Sequence, residues 1–158
     1  MAAPVATVRS SPSGIKLKDG FSTKITFATD DNIEFWEKSV KPPGIDGGDS
    51  IPQTTMHNTA WRTMAPRQLK TLTESSTTVA YDPVLYTSIL ALINVETTIT
   101  VTFPDGSTLA FYGFLQKFEP SELKEGEQPE ASVTITPTNF DPTNHVEAAP
   151  VLASVAGT

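Results

Sequence analysis

The sequence predicts a mainly β domain: a small β-sandwich or partial barrel with one flanking α-helix and one long extended arm. Three observations carry this. Segments of alternating apolar and polar residues recur along the chain, and a single stretch has helical spacing. Between Val40 and Leu69, roughly thirty residues have neither period, which is long for a connection inside a compact domain. The order reads β-β-arm-β-α-β-β-β, the pattern of packed strands with one helix on a flank.

The first strand is expected at Phe21–Phe27, where Phe21, Ile25 and Phe27 share one face. Asp30, Asp31 and Asn32 supply turn chemistry, and a second strand over 32–40 is expected to pair with the first as a hairpin. The arm, residues 41–70, is punctuated by Pro42, Pro43, Gly44, Gly47, Gly48, Pro52 and Pro66. It nevertheless carries Ile45, Ile51, Met56, Trp61 and Met64, whereas disordered linkers are poor in large apolar groups. Such a segment is expected to have something to bind, beyond its own subunit. Strand character resumes at Lys70–Thr73 and at Thr77–Tyr81.

One helix is expected after Asp82. Asp82 can cap it, Pro83 suits its first position, and Val84, Leu85, Ile89, Leu92 and Ile93 follow helical spacing up to a stop at Asn94. Thr97–Phe103 alternates strictly, Pro104–Ser107 turns, and Thr108–Phe118 returns as the best-marked hairpin. Glu119–Glu130 reads as an acidic loop and Ala131–Thr138 as the last strand. Residues 141–158 form a C-terminal tail of small residues, with no marked element.

A length of 158 residues fits one domain with a real core. Cysteine is absent, which excludes disulfide scaffolds and thiolate metal sites. Net charge is −7, unevenly spread. Residues 1–40 are neutral, 41–70 carry +2 through Lys41, Arg62, Arg67 and Lys70, and 71–158 carry −9. No Lys/Arg cluster exists to displace counterions from a duplex, so tight DNA binding is not expected. No basic-then-apolar leader opens the sequence and no run is apolar enough to span a membrane, so a soluble protein made in the cytoplasm is expected.

Catalytic and metal motifs are scarce. His57 and His145 lack partners at zinc-like spacing and read as polar loop residues. Asp46 and Asp49 lack the alternating oxygen ligands of a calcium loop and read as turn residues. No nucleophile elbow, phosphate loop or dinucleotide fingerprint occurs. Glu119, Glu122, Glu125, Glu127 and Glu130 could hide a catalytic pair, but along a polar loop they read as a solvated face. Neither enzyme activity nor any cofactor or metal is expected.

Nine short motifs occur in one order: residues 37–49 (EKSVKPPGIDGGD), Thr55–Asn58, Trp61–Thr63, Ala65–Arg67, Ala80–Pro83, Phe103–Ser107, Gly113–Leu115, Gly126–Pro129 and Thr138–Asn139. In that order the chain resembles tail tube proteins (major tail proteins) of long-tailed bacteriophages over about residues 15–140. The resemblance implies a subunit that forms six-membered rings, stacked head to tail into a hollow virion tail. DNA would pass through without specific binding on its way into the host cell. It implies partners in the tape measure, tail tip and tail terminator proteins, with no membrane.

Stacking of this kind needs one face to complement a different face. The arm, through Pro42, Pro43, Ile45, Asp46, Ile51, Met56, Trp61, Arg62, Arg67 and Lys70, is expected to be one face. The acidic Glu119–Glu130 loop is the candidate for the other. Phe21–Phe27 and Thr97–Phe103, each with a polar face, are the candidates for lining a lumen. The competing reading is a monomeric β-sandwich binding module, a tail-tip or adhesin-like carbohydrate binder. It would show an exposed aromatic platform around Phe111, Tyr112 and Phe114.

Overall fold

A computed structural model of the chain describes residues 23–28 and 35–154. Phe21, the Asp30–Asn32 turn, the start of the second expected strand and both termini lie outside the described residues. The strands are β1 Lys24–Phe27, β2 Trp36–Lys41, β3 Ile45–Asp46, β4 Ile51–Pro52, β5 Met64–Ala65, β6 Thr71–Leu72 and β7 Ser75–Ala80. After the helix come β8 Thr97–Thr102, β9 Thr108–Pro120, β10 Glu130–Pro137, β11 Phe140–Asp141, β12 Val146–Glu147 and β13 Val151–Ala153. A 3-10 turn at Pro83–Leu85 leads into helix α1, Tyr86–Leu92.

One antiparallel sheet dominates, in the order β1-β8-β9-β10-β7-β2, with β13 added on β9. Alternation decides its faces. Ile25 and Phe27, Ile99 and Val101, Phe111 and Leu115, Val133 and Ile135, and Val79 all point inward and are buried. Ile89 and Leu92 of α1 close the core. The cap is as expected: Asp82 Oδ1 accepts from the Val84 N–H at 3.0 Å. Val84 differs, because the helix opens as a 3-10 turn that rotates it into solvent. The helix stops where expected, with Asn94 at φ 62° and its N–H donated to the Leu115 carbonyl at 3.0 Å.

Among the described residues, the expected β1–β2 hairpin does not form. β1 pairs with β8, setting Lys24 opposite Thr102 and Phe27 opposite Ile99. β2 pairs instead with β7, setting Val40 opposite Thr77. The two strands are the opposite edges of the sheet, and the sheet curls until those edges meet. Their join is made by side chains: the Ile25 N–H donates to Glu37 Oε1 at 2.9 Å, and Phe27 meets Phe35 edge-on at 5.9 Å. An unpaired edge donor is thereby satisfied without a ladder. This makes the partial barrel.

The long strand β9 changes neighbours midway. Its first half pairs with β8, Thr97 lying opposite Gly113, and its second half with β10, Ala131 lying opposite Pro120. β13 fills the edge that β10 leaves, with Val151 opposite Ala110. The segment after β10, without any marked element in the sequence, therefore carries a small β11–β12 hairpin and an edge strand.

That hairpin is held by Asp141. The Asn144 side-chain amide donates to its Oδ2 at 2.8 Å, and the Thr143 N–H to its Oδ1 at 2.9 Å. These donors, the Asn144 amide foremost, hold the Asp141 carboxyl below its ordinary value. A lowered folded pKa contributes stability above the unfolded value and loses it as pH falls through the folded one. Asp141→Asn should therefore be less stable than wild type at neutral pH, with the gap closing below about pH 4. Urea midpoints across that range check it, and a gap independent of pH would sink the assignment.

Candidate inter-subunit surfaces

The arm is a long hairpin thrust out from the β2–β7 pair. Where the sequence has no strand period, the structure places two short ladders. Ile45 lies opposite Leu72 and Asp46 opposite Thr71, and further out Ile51 lies opposite Ala65 and Pro52 opposite Met64. Between the ladders, the Arg67 Nε donates to the Asp49 carbonyl at 2.7 Å. Gly48, at φ 81°, leaves room for that side chain. Asp46 Oδ1 accepts from the Gly48 N–H at 2.8 Å, which is the turn role expected for it. These bonds span backbone that has no side-chain alternation, so the sequence pattern does not reveal them.

At the tip, Asn58 is the organiser. Its Oδ1 accepts from the Thr55 N–H at 2.9 Å and its amide donates to the Trp61 carbonyl at 2.8 Å. The apolar side chains around it stay in water: Met56 is 99% exposed and Trp61 83%, and Ile45, Ile51, Met64 and Leu69 are exposed as well. A cluster of exposed large apolar groups of this kind marks an interaction surface. Arg62, Arg67 and Lys70 form no ion pair among the described residues. Pro43 is buried and Pro42 half-buried, so within their own subunit they stiffen the root of the arm.

The acidic segment lies at the other end of the sheet. β7 and β10 run antiparallel, with Ser75 opposite Ile135 and Ala80 opposite Glu130. The arm leaves at the Ser75 end, and the 121–129 loop joins β9 to β10 at the Glu130 end. The five residue steps from Ser75 to Ala80 separate the two by roughly 17 Å. Within one subunit, the structure keeps the two charged segments apart.

Glu119 belongs to β9 and pairs with Lys117 at 3.1 Å, while Glu130 opens β10 and pairs with Lys38 of β2. Glu122 lies 3.7 Å from Lys124. Glu125 and Glu127 are exposed on the loop proper. Exposed as they are, these pairs contribute little to stability.

Two further features escaped the sequence reading. Leu123, alone in the acidic loop, is 63% exposed. A lone apolar residue between Glu122 and Lys124 was its only signal. At the arm's root a groove of about 550 Å³ opens between Ile45, Lys70 and Leu72 on one wall and Asn139, Glu147 and Ala148–Pro150 on the other. It depends on the tail folding back, so no local pattern announces it.

The two strands with a polar face come together as neighbours. Lys24 and Thr26 of β1 lie opposite Thr102 and Thr100 of β8 on the outer face of the sheet. That face continues through Ser76, Thr78, Ser132 and Thr134. The aromatics near Phe111 form no exposed platform: Phe111 is in the core, and Tyr112 and Phe114 are half-buried on the opposite face. Among the described residues, no cluster of three His, Asp or Glu is placed to hold a metal.

No family model and no curated protein matches the sequence. Solved structures do match in fold. A chain of the native gene transfer agent virion superposes with a TM-score of 0.62 at 9% identity, covering 87% of this chain and 100% of that one. A chain of the tail of the empty gene transfer agent particle, determined with C6 symmetry, gives 0.59 at 8% identity over 87% and 100%. A chain of the anti-feeding prophage baseplate, six-fold symmetrised, gives 0.57 at 6% identity over 85% and 92%. At such identities the likeness is one of fold. This fold is shared with those chains of the gene transfer agent particle and of the anti-feeding prophage baseplate.

Proposed function

We propose that this chain is a structural subunit of a phage-type virion tail. It assembles as hexameric rings that stack into the tail tube, a conduit for DNA into the host cell. The observation that carries the reading is the arm: apolar-tipped, cationic, exposed, and leaving the sheet at the end opposite an acidic loop. A subunit with complementary surfaces at opposite ends polymerises head to tail, because each contact leaves another open. Its fold, shared with chains of gene transfer agent tails and of a baseplate, supports the same reading. The role is structural, with no reaction assigned to it. Its partners are further copies of itself and the neighbouring tail components.

In this reading the outer face of β1 and β8 looks into the lumen. Its hydroxyl groups, with Lys24 the one charge on these two strands, offer DNA no cationic stripe to grip. A tube lining without a cationic stripe suits a passage.

Negative-stain microscopy of the purified protein tests the reading. Rings or tubes are expected, and monodisperse monomers at high concentration would overturn it in favour of the monomeric binding module. Reversing charge at Arg62, Arg67 and Lys70 together should raise the concentration needed for assembly, most strongly at low salt, where screening is weak. Unchanged assembly at both low and high salt would remove those residues from the contact.

A further inference from the structure

The groove at the arm's root and the lone leucine of the acidic loop lie at opposite ends of the subunit, and their chemistry is complementary. The groove walls are apolar at Ile45, Leu72 and Ala148–Pro150, with Lys70 on one wall and Glu147 on the other. The loop presents Leu123 as an exposed apolar knob between Glu122 and Lys124, with Glu125 beyond. We infer that Leu123 of one copy seats in the arm-root groove of the next copy along the stack, with Glu122 or Glu125 facing Lys70 and Lys124 facing Glu147.

Two observations support a second copy as the occupant. The knob and groove cannot meet within one subunit, because β10 holds them at opposite ends of the sheet. Both signs of charge on the knob have a counterpart on the groove. A small apolar anchor ringed by polar pairs is the usual anatomy of a stable contact.

The inference rests on the tail-subunit reading, and the experiment separates the two. The chain has no cysteine, so Leu123→Cys with Ala149→Cys places the only thiols at the proposed contact. Oxidised assemblies should give a ladder of covalent multimers on denaturing gels, and each single variant should stop at dimers or below. Wild-type protein that forms rings or tubes while the assembled double variant gives no ladder overturns this contact and leaves the reading standing. Wild-type protein that never assembles overturns both. Should the thiol variant fail to assemble, charge exchange decides. Lys70→Glu is expected to raise the assembly concentration about tenfold, the equivalent of one lost contact pair. Combination with Glu122→Lys and Glu125→Lys should restore it, and absence of rescue overturns the contact.

Discussion

Replacing Met56 and Trp61 together by serine is expected to raise the assembly concentration steeply while leaving the monomer folded. Both side chains are almost wholly in water in the isolated subunit, so the subunit loses little burial with them. The tip is held through Asn58, whose bonds run to the Thr55 N–H and the Trp61 carbonyl, both backbone groups that survive the exchange. If the arm buries these side chains in a neighbour, each forfeits about 1.5–3 kcal/mol of transfer free energy. Two such losses raise the assembly concentration roughly a hundredfold or more, since each 1.4 kcal/mol is about a factor of ten. Sedimentation against concentration reads the shift, and circular dichroism confirms the fold. Assembly at the wild-type concentration would show that the tip touches nothing.

Gly113→Val should have the largest effect on folding itself, a loss of about 3 kcal/mol or more. Gly113 sits at the point where β9 exchanges β8 for β10, opposite both Thr97 and Pro137. A Cβ there would lie 2.7 Å from the Thr136 carbonyl oxygen and 3.2 Å from the Pro137 Cα. Both are backbone atoms, so no rotamer change relieves the clash and β10 itself must move. The displacement would reach Ile135, which is fully buried. A few kcal/mol is a large share of a typical domain stability. Gly113→Ala should lie between the two, and denaturant midpoints for the series check the order. Equal midpoints for glycine and valine would mean that the close approach is not structural.

Much of the architecture was legible in sequence, for a local reason. The Thr97–Phe118 hairpin combines strict alternation with a Pro-Asp-Gly-Ser turn. In the structure, Asp105 Oδ1 accepts from the Ser107 N–H at 2.9 Å and Gly106 takes φ 92°, so the turn is built within four residues. Asp82, Pro83 and Asn94 mark the helix for the same reason. The misplaced β1–β2 pairing shows the limit. Adjacency in sequence favours a hairpin, but β1 pairs with β8, where Ile25 and Phe27 are buried, and β2 pairs with β7 at the opposite edge of the curled sheet. The arm illustrates another limit, since its ladders are backbone bonds between short segments that carry no alternation.

The sequence alone established a β-rich domain with one helix. It also set a cationic, apolar-studded segment against an acidic one, because alternation, capping and charge are properties of neighbouring residues. Only the tertiary structure decided which strands are edges, that the tail folds into an edge strand, and that Leu123 and the arm-root groove lie at opposite ends. Those features depend on pairings between residues far apart in the chain, which are chosen by the area each arrangement buries and leave no local trace.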